Sequence, residues 1–290
     1  MTDAVVVGID VARRLVEDVV APSFPEAGVA DLRVVDGGWD NLIVRVGPSL
    51  VLRLPVRQEA VPLVVNEARW LAEAAGPMPV PVPVPLLLGE PTSYYPWPWT
   101  LTRWIDGEVL DDVPVAERGG AVDGLADALL ALHRPAPPDA PQNPFRGVPL
   151  AQRAAIVEPR IQERFPSMAA PLLRLWAEAL EAPAWPGPSL WLHGDPHPRN
   201  LLADRTGLVG IIDFGDITSG DPASDLATAW WCFGSGDRAR FRARIDAAGV
   251  YDAQVWRRAA GWAVAVASAI PEGTAMTPAA HRTVAHLLGA

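Results

Sequence analysis

One stretch of the chain, residues 190–225, constrains the possible folds more than any other. It reads LWLHGDPHPRNLLADRTGLVGIIDFGDITSGDPASD, and its short apolar segments 201–202 and 208–212 flank a polar turn. This pattern predicts two strands joined as a hairpin. A preceding apolar run breaks at His193, and polar residues gather at the outer ends of the predicted strands. We therefore expect a hairpin that holds a polar loop in a fixed position.

Three oxygen-bearing side chains of this stretch, Asp195, Asn200 and Asp213, are expected to converge on one point. Two carboxylates and a carboxamide are hard oxygen ligands, which suit Mg²⁺ better than zinc. Phosphoryl transfer to an alcohol needs such a set, because one carboxylate accepts the hydroxyl proton and the other oxygens hold the metal on the nucleotide phosphates. The stretch therefore predicts a phosphoryl-transfer site.

A metal-chelating site is the alternative interpretation of the same loop. His193, Asp195 and His197 alternate, so on an extended strand they would share one face and could bind a transition metal. The two prolines of this segment disfavour a regular strand, and no further His or Cys occurs before Cys232. Phosphoryl transfer is therefore the preferred interpretation. We expect His193 to pin the loop by hydrogen bonds, while a substrate-side role and a packing role fit His197 equally well.

The charge balance limits the partners of this chain. Its 290 residues include 34 acidic and 24 basic side chains, all of the latter arginine, which gives a net charge of −10. Nucleic acid and anionic membranes are poor partners for such a protein, and a cationic small molecule is a good one. The N-terminal segment lacks the basic region of a signal peptide, and the longest apolar run, 259–270, is too short to cross a bilayer. We expect a cytoplasmic protein.

The first third of the chain predicts a small sheet, and the rest predicts mainly helices. Strands are predicted at 32–35, 42–46, 50–54, 86–88 and 97–105. The turn at 37–41, GGWDN, can present backbone amides to phosphates, although a plain hairpin turn has the same composition. Apolar residues recur at helical spacing in 9–20, 63–75, 122–133, 151–165, 169–181, 237–248, 252–270 and 278–288.

The spacing HGDxHxxN followed by IDFGD closely resembles the catalytic and metal-binding segments of the aminoglycoside phosphotransferase family. That family shares the protein-kinase-like fold. The resemblance implies an α+β, bilobal protein: a small N-terminal lobe with an antiparallel β-sheet, residues 1–105, and a mainly helical C-terminal lobe, residues 106–290. It also implies a kinase that uses Mg²⁺ and transfers the γ-phosphoryl group of ATP or GTP to a hydroxyl of a small molecule.

The resemblance assigns roles to residues of the C-terminal lobe. Asp195 is implied to be the catalytic base, and Asn200 and Asp213 are implied to be the magnesium ligands. Asp225 is implied to be buried, where it would tie the backbone of the catalytic loop in place. Asp216 is a departure from the family pattern, because some aminoglycoside kinases carry a basic residue at this position.

The resemblance also implies a nucleotide site in the N-terminal lobe. Kinase-like folds have a lysine in the third strand that binds the nucleotide phosphates and pairs with a glutamate of a helix. Arg53 is at that position in this chain, and Glu67 is the implied partner. Arginine keeps the charge but differs in size and hydration. The alternative is that Arg53 is a solvated edge residue. Thr102 is implied to line the adenine pocket, and Arg103 and Ile105 to contact adenine through their backbone.

The acceptor is less constrained than the reaction. The acidic charge favours a polyamine-bearing sugar such as an aminoglycoside, an activity that would confer antibiotic resistance. Proteins of the same fold phosphorylate macrolides, choline, homoserine and other metabolic alcohols, so these acceptors stay open. The missing lysine suggests a second class of function, a nucleotide-binding protein with weak or absent transferase activity.

Overall fold

The computed structural model describes residues 7–27, 31–37 and 40–289, apart from the side chain of Asp36. Two compact units divide these residues. The first comprises the described residues up to 76 together with 82–106, and the second comprises 77–81 and 107–289. Residues 77–81 fall within the predicted N-terminal lobe but group with the second unit, where Ile211 N–H donates to the Pro81 carbonyl at 3.2 Å.

The first unit is built around an antiparallel sheet. In chain order its elements are α1 (Ile9–Leu15), β1 (Leu32–Gly37), β2 (Asn41–Val46), β3 (Leu50–Pro55), α2 (Val61–Ala74), β4 (Leu87–Gly89) and β5 (Trp99–Arg103). The strand order is β1-β2-β3-β5-β4, which makes β3 the central strand. Leu52 and Leu54 are fully buried in a core shared with Leu15 and Trp99. Strand alternation turns the intervening Arg53 to the opposite face of the sheet.

Two details of the first unit differ from the sequence-based prediction. Residues 9–20 were expected to form one helix, whereas α1 ends at Leu15 and continues as one π-helical turn, Val16–Val20. The turn contains three valines, whose branched side chains crowd an α-helical turn. In α2, Leu63 was expected to face the core, but it is only half-buried. Val64 is buried in its place. Gly38 and Trp39 of the predicted phosphate-covering turn lie outside the described residues.

The second unit contains two small sheets and most of the helices. Its strands are β6 (Glu108–Val109), β7 (Leu190–Leu192), β8 (Leu201–Asp204), β9 (Gly207–Ile211) and β10 (Thr218–Gly220). Its helices are α3 (Ala121–Leu132), α4 (Ala154–Arg164), α5 (Ala169–Glu181), α6 (Ala223–Leu226), α7 (Thr228–Cys232), α8 (Ser235–Ala247), α9 (Val255–Ala269) and α10 (Thr277–Leu287). The antiparallel sheet of the first unit and the helices of the second confirm the predicted α+β fold.

The predicted hairpin is present in the second unit. Strands β8 and β9 pair antiparallel from Leu201 opposite Ile211 to Asp204 opposite Gly207. The Asp204 carboxylate accepts a hydrogen bond from the backbone N–H of Thr206 at 2.7 Å, which stabilises the turn. Strand β6 extends the hairpin to three strands, and β7 pairs separately with β10. Both sheets end next to the loop that follows β7.

Helix α9 forms the centre of the helical part. It is buried along most of its length and packs against α4, α5, α6 and α10, with Trp262 almost fully enclosed. Helix α5 has the predicted bounds, whereas α4 begins later than predicted because a 3₁₀ turn, Leu150–Arg153, precedes it. In the part of the chain that the structure describes, no helix has the length and apolarity needed to span a bilayer.

Replacing Gly89 with alanine should destabilise the first unit. A Cβ atom at Gly89 would lie 2.0 Å from the ring of the fully buried Trp99. Because the ring must shift within a packed core, we expect the free energy of unfolding to fall by about 1–3 kcal/mol. Chemical denaturation measures the change. The matched control is Gly37→Ala, where an added Cβ meets none of the described residues within 4 Å. Equal stability of the two variants would contradict this packing.

Candidate active site

A buried carboxylate fixes the backbone of the loop that follows β7. Asp225 is fully buried and accepts hydrogen bonds from the backbone N–H groups of His193 at 2.7 Å and Gly194 at 3.0 Å. His133 Nε2 lies 3.2 Å from the same carboxylate. Hydrogen bonds to a charged acceptor are stronger than those between neutral groups. Asp225 therefore ties the loop in place, as the resemblance implied.

The His193 side chain holds the loop from within. Its ring is fully buried, and its Nδ1 accepts a hydrogen bond from the backbone N–H of Asp195 at 3.1 Å. Nε2 must then carry the proton and donate to the Ile212 carbonyl at 3.0 Å. The ring also packs against Phe214, with centroids 4.4 Å apart. These bonds confirm that His193 pins the loop, and they leave neither ring nitrogen for a transition metal.

Gly194 allows the loop to approach the segment after β9. Its φ of +90° lies in a region that favours glycine, and an added Cβ would lie 2.3 Å from the Asp216 carbonyl oxygen. Any larger residue would push the two backbones apart. The glycine of the HGD motif therefore has a steric role here, which is to keep Asp195 close to the segment that carries Asp213 and Asp216.

Two hydrogen bonds join Asn200 to the segments that carry the predicted acidic residues. Its Nδ2 donates to the Asp195 carbonyl at 3.0 Å, and its own carbonyl accepts from the N–H of Ile212 at 2.9 Å. Asp213 is the next residue in the chain. These bonds hold the backbones of Asp195, Asn200 and Ile212 together. Because Nδ2 is the donor to the loop, Oδ1 is the Asn200 atom that can act as a ligand.

Asp213 has an unusual backbone conformation. At φ 60° and ψ 67° it is the single non-glycine residue with positive φ among the described residues. Aspartate tolerates this region better than most residues, but the conformation still costs about 1 kcal/mol or more. Such strain is common where a side chain must be aimed at a ligand.

The donors at this position suit magnesium. Asn200 offers a carboxamide oxygen and Asp213 a carboxylate, and hard oxygen donors with room for water are the usual environment of Mg²⁺. Among the described residues, no group of three or more His, Cys, Asp or Glu side chains is arranged to bind a metal ion. Asn200 and Asp213 are therefore the residues that could hold a magnesium ion here.

The Asp195 carboxylate lies between two basic side chains. Its Oδ1 is 3.1 Å from Nη2 of Arg146, its Oδ2 is 3.6 Å from Nε2 of His197, and its side chain is 25% exposed. Burial acts to raise the pKa of Asp195, but Arg146 foremost, and then His197, outweigh it, so the pKa is lowered. The carboxylate is thus held ionised. Arg146 belongs to no recognisable sequence motif, so no pattern in the sequence points to it.

In the first unit, Arg53 is a buried and partnered cation. It forms an ion pair with Glu67 of α2, and both side chains are almost fully enclosed. When the Asn41 carboxamide is oriented to satisfy its hydrogen bonds, its oxygen accepts from Nε and Nη2 of Arg53, each at 3.1 Å. Because β3 is the central strand, the alternative of a solvated edge residue is wrong. The predicted Arg53–Glu67 pair is present.

The segment predicted to contact adenine also lies in the first unit. Thr102 is buried in β5. Trp104 N–H donates to the Ser49 carbonyl at 2.8 Å, so alternation turns the backbone groups of Arg103 and Ile105 away from β3. On that side the pairing with β4 has already ended two residues before Arg103.

A five-stranded antiparallel sheet, an Arg–Glu pair across β3 and α2, and an HGD loop beside a β-hairpin define the kinase-like class of phosphotransferase folds. Residues 31–262 match the family model described as the phosphotransferase enzyme family, APH, and the chain belongs to that family.

Two curated proteins are similar to part of the chain. An uncharacterized protein of Bacillus subtilis, YcbJ, is 36% identical over 75 residues, which is 26% of this chain and 24% of that protein. An aminoglycoside 3'-phosphotransferase of Escherichia coli is 30% identical over 144 residues, 47% of this chain and 53% of the enzyme. The alignments thus span only about a quarter and about half of these relatives.

Solved structures agree over nearly the whole chain. A GDP complex of an aminoglycoside 2'-phosphotransferase has a TM-score of 0.66 at 18% identity and covers 93% of this chain and 95% of its own. The apoenzyme of a macrolide 2'-phosphotransferase from Brachybacterium faecium has a TM-score of 0.57 at 17% identity and covers 96% and 99%. At such identities the likeness establishes the fold.

Replacing Asp225 should destabilise the protein in a graded way. Asp225→Ala leaves the N–H groups of His193 and Gly194 without their acceptor, and each buried unsatisfied group costs about 1–3 kcal/mol. Asp225→Asn keeps the volume and one acceptor oxygen, so we expect a smaller loss. Urea denaturation of the two variants and the wild-type protein measures the order. An alanine variant as stable as the asparagine variant would contradict the role of these bonds.

Proposed function

We propose that this protein is a small-molecule kinase that transfers the γ-phosphoryl group of ATP or GTP to a hydroxyl group. The observation that carries the proposal is that Asn200 is bonded both to the Asp195 backbone and to Ile212, the residue before Asp213. A base and two oxygen ligands are the protein parts that phosphoryl transfer uses, and in this proposal Asp195, Asn200 and Asp213 supply them. Family membership supports the same reaction class.

In this proposal each site residue has one role. Asp195 orients the acceptor hydroxyl and accepts its proton, for which its lowered pKa keeps it ionised. Asn200 and Asp213 would hold Mg²⁺, which when bound neutralises charge on the nucleotide phosphates. Arg53, fixed by Glu67, would hold phosphate oxygens with its planar fork. Such positioning and charge stabilisation account for most of the catalysis in this reaction class.

The nucleotide would be bound by the first unit. Thr102 would line the adenine or guanine pocket, and the backbone groups of Arg103 and Ile105 would contact the base edge. Related structures include complexes with GDP and with ATP, so both adenine and guanine nucleotides are candidates for this chain. The side chains of Arg103 and Ile105 would matter little for this contact, because backbone groups can bond to a base whatever side chain they carry.

The acceptor class is proposed on charge. Aminoglycosides and a macrolide are the substrates named for related structures. A net charge of −10 favours a cationic acceptor over an anionic one, and a cytoplasmic enzyme would meet such compounds after their uptake. Metabolic alcohols such as choline or homoserine form the alternative acceptor group.

A second candidate function is nucleotide binding with little transfer. It is favoured by one observation, the arginine at position 53, since arginine and lysine differ in shape and hydration where they contact phosphate. A protein of this kind would bind nucleotide and Mg²⁺ without phosphorylating an alcohol.

Phosphate transfer to a panel of alcohols tests the proposed function. The panel contains aminoglycosides, macrolides, choline and homoserine, each with ATP or GTP and Mg²⁺, and transfer is scored as the mass gain of one phosphate. We expect transfer by the wild-type protein and a loss of about 10²- to 10⁴-fold in Asp195→Asn, because the general base is removed. Nucleotide binding without transfer to any acceptor would favour the second candidate function.

Replacing Asp213 with asparagine tests the metal site. Asparagine tolerates positive φ, so the backbone conformation should be retained while a charged ligand is lost. We expect the Mg²⁺ concentration needed for half-maximal turnover to rise by about 10- to 100-fold. The control is Asp204→Asn, the same change at the exposed turn of the hairpin. A normal Mg²⁺ dependence in Asp213→Asn would exclude Asp213 as a ligand.

A further inference from the structure

An arginine from a distant loop lies beside the proposed catalytic base. We propose that Arg146 is a positioning residue for Asp195, held in place by Asp216 and Asn143. The inference rests on the proposed function, since it assigns a role in that reaction to Arg146 and Asn143, which lie outside the HGDxHxxN and IDFGD segments, and to Asp216 at the end of IDFGD. The contacts of residues 141–147 support this role.

Residues 141–147 are bound along strand β10. Ser219 N–H and Thr218 Oγ1 both donate to the Pro141 carbonyl at 3.1 Å, and Asn143 N–H donates to Thr218 Oγ1 at 2.9 Å. At the other end of the segment, the Gly147 carbonyl accepts a hydrogen bond from Asp221 N–H at 2.9 Å. The segment is therefore anchored on both sides of Arg146.

The approach of this segment to β10 is close enough to require glycine. A Cβ atom at Gly220 would lie 2.2 Å from the Gly147 carbonyl oxygen, and Gly147 itself has a φ of +66°. Two glycines thus permit a backbone contact that a side chain would prevent. The position of Arg146, immediately before Gly147, is built into the fold.

The Arg146 guanidinium bridges two carboxylates. Its Nη2 lies 3.1 Å from Oδ1 of Asp195 and 4.0 Å from Oδ2 of Asp216, and its side chain is 18% exposed. The second oxygen of Asp216 accepts a hydrogen bond from Asn143 Nδ2 at 2.7 Å. A series of contacts thus leads from Asn143 through Asp216 and Arg146 to the proposed base.

This series has a chemical consequence for Asp195. Arg146 contacts one of its carboxylate oxygens and His197 lies near the other, so the rotation of the carboxylate is restricted. Asp216 brings a second carboxylate to the same guanidinium, 4.0 Å from its Nη2. A cation placed between two carboxylates attracts both, so Arg146 offsets their mutual repulsion and holds Asp195 in place.

Turnover of Arg146 variants provides the test. We expect kcat for phosphate transfer to fall on the order of 10²-fold in Arg146→Gln, because a misplaced base transfers protons poorly. The KM for nucleotide should stay near the wild-type value, since the two carboxylates beside Arg146, those of Asp195 and Asp216, are not proposed to bind nucleotide. Arg146→Lys keeps the charge and should recover part of kcat. Millimolar guanidinium should restore kcat in Arg146→Ala.

Arg238 provides a matched control. It is a half-buried arginine of the second unit, and its Nη1 donates to the Phe233 carbonyl at 3.2 Å, outside residues 141–147 and the two motif segments. Arg238→Gln should leave kcat per folded molecule unchanged. Thermal denaturation of both glutamine variants separates loss of stability from loss of turnover, because a purely structural Arg146 would lower stability without guanidinium rescue.

A double-mutant cycle reports the contact without relying on turnover. We expect Arg146→Gln and Asp195→Asn to be non-additive in the free energy of unfolding, because the two side chains contact each other. Additive effects, or full kcat in Arg146→Gln, would overturn the inference while leaving the proposed function intact. Absence of transfer by the wild-type protein would instead overturn the proposed function. Non-additive unfolding free energies would then show that Arg146 and Asp195 form an ion pair that has no catalytic role.

Discussion

The two hydrogen bonds that Asp225 accepts from the loop backbone are the interaction on which the rest of the site depends. Backbone N–H groups at a sharp, glycine-containing turn have no strand or helix partner, so a buried side chain must accept from them. A carboxylate accepts from two donors at once, and His133 lies against it in turn, with Nδ1 2.7 Å from the Tyr251 hydroxyl. The turn is thereby fixed to the helical core, and this also fixes where the residues that follow it lie.

Local patterns were enough to predict much of this arrangement. Apolar segments separated by a polar turn predicted the hairpin of β8 and β9, and helical spacing predicted α5 with its observed bounds. Such predictions succeed because period-2 and period-3.6 patterns state directly which side of an element is buried. The pairing of Arg53 with Glu67, by contrast, was expected from the family resemblance and is present. The departure at Val16–Val20 arose where branched residues crowd a helical turn.

The residues that sequence patterns could not supply are those whose position depends on distant pairing. Arg146 lies in a proline-rich segment that has neither strand nor helix periodicity, and its contact with Asp195 requires residues 141–147 to lie along β10. The backbone conformation of Asp213 was equally invisible, because aspartate occupies both signs of φ. Asp216 illustrates the same limit: its acidity looked like a loss of a basic contact, whereas the structure has a cation from another segment beside it.

Each of the two charged groups proposed for catalysis is held by two partner side chains. In the first unit, the planar Arg53 fork is fixed by a carboxylate and a carboxamide, Glu67 and Asn41. In the second, the Asp195 carboxylate is fixed by Arg146 and by His197. An unpaired charge in either place would be costly to bury, and a single partner would leave it free to rotate. Two partners set both the charge state and the direction of the group. A chain that has arginine as its only strong base therefore relies on the geometry of the guanidinium, whose several donors can contact two partners at once.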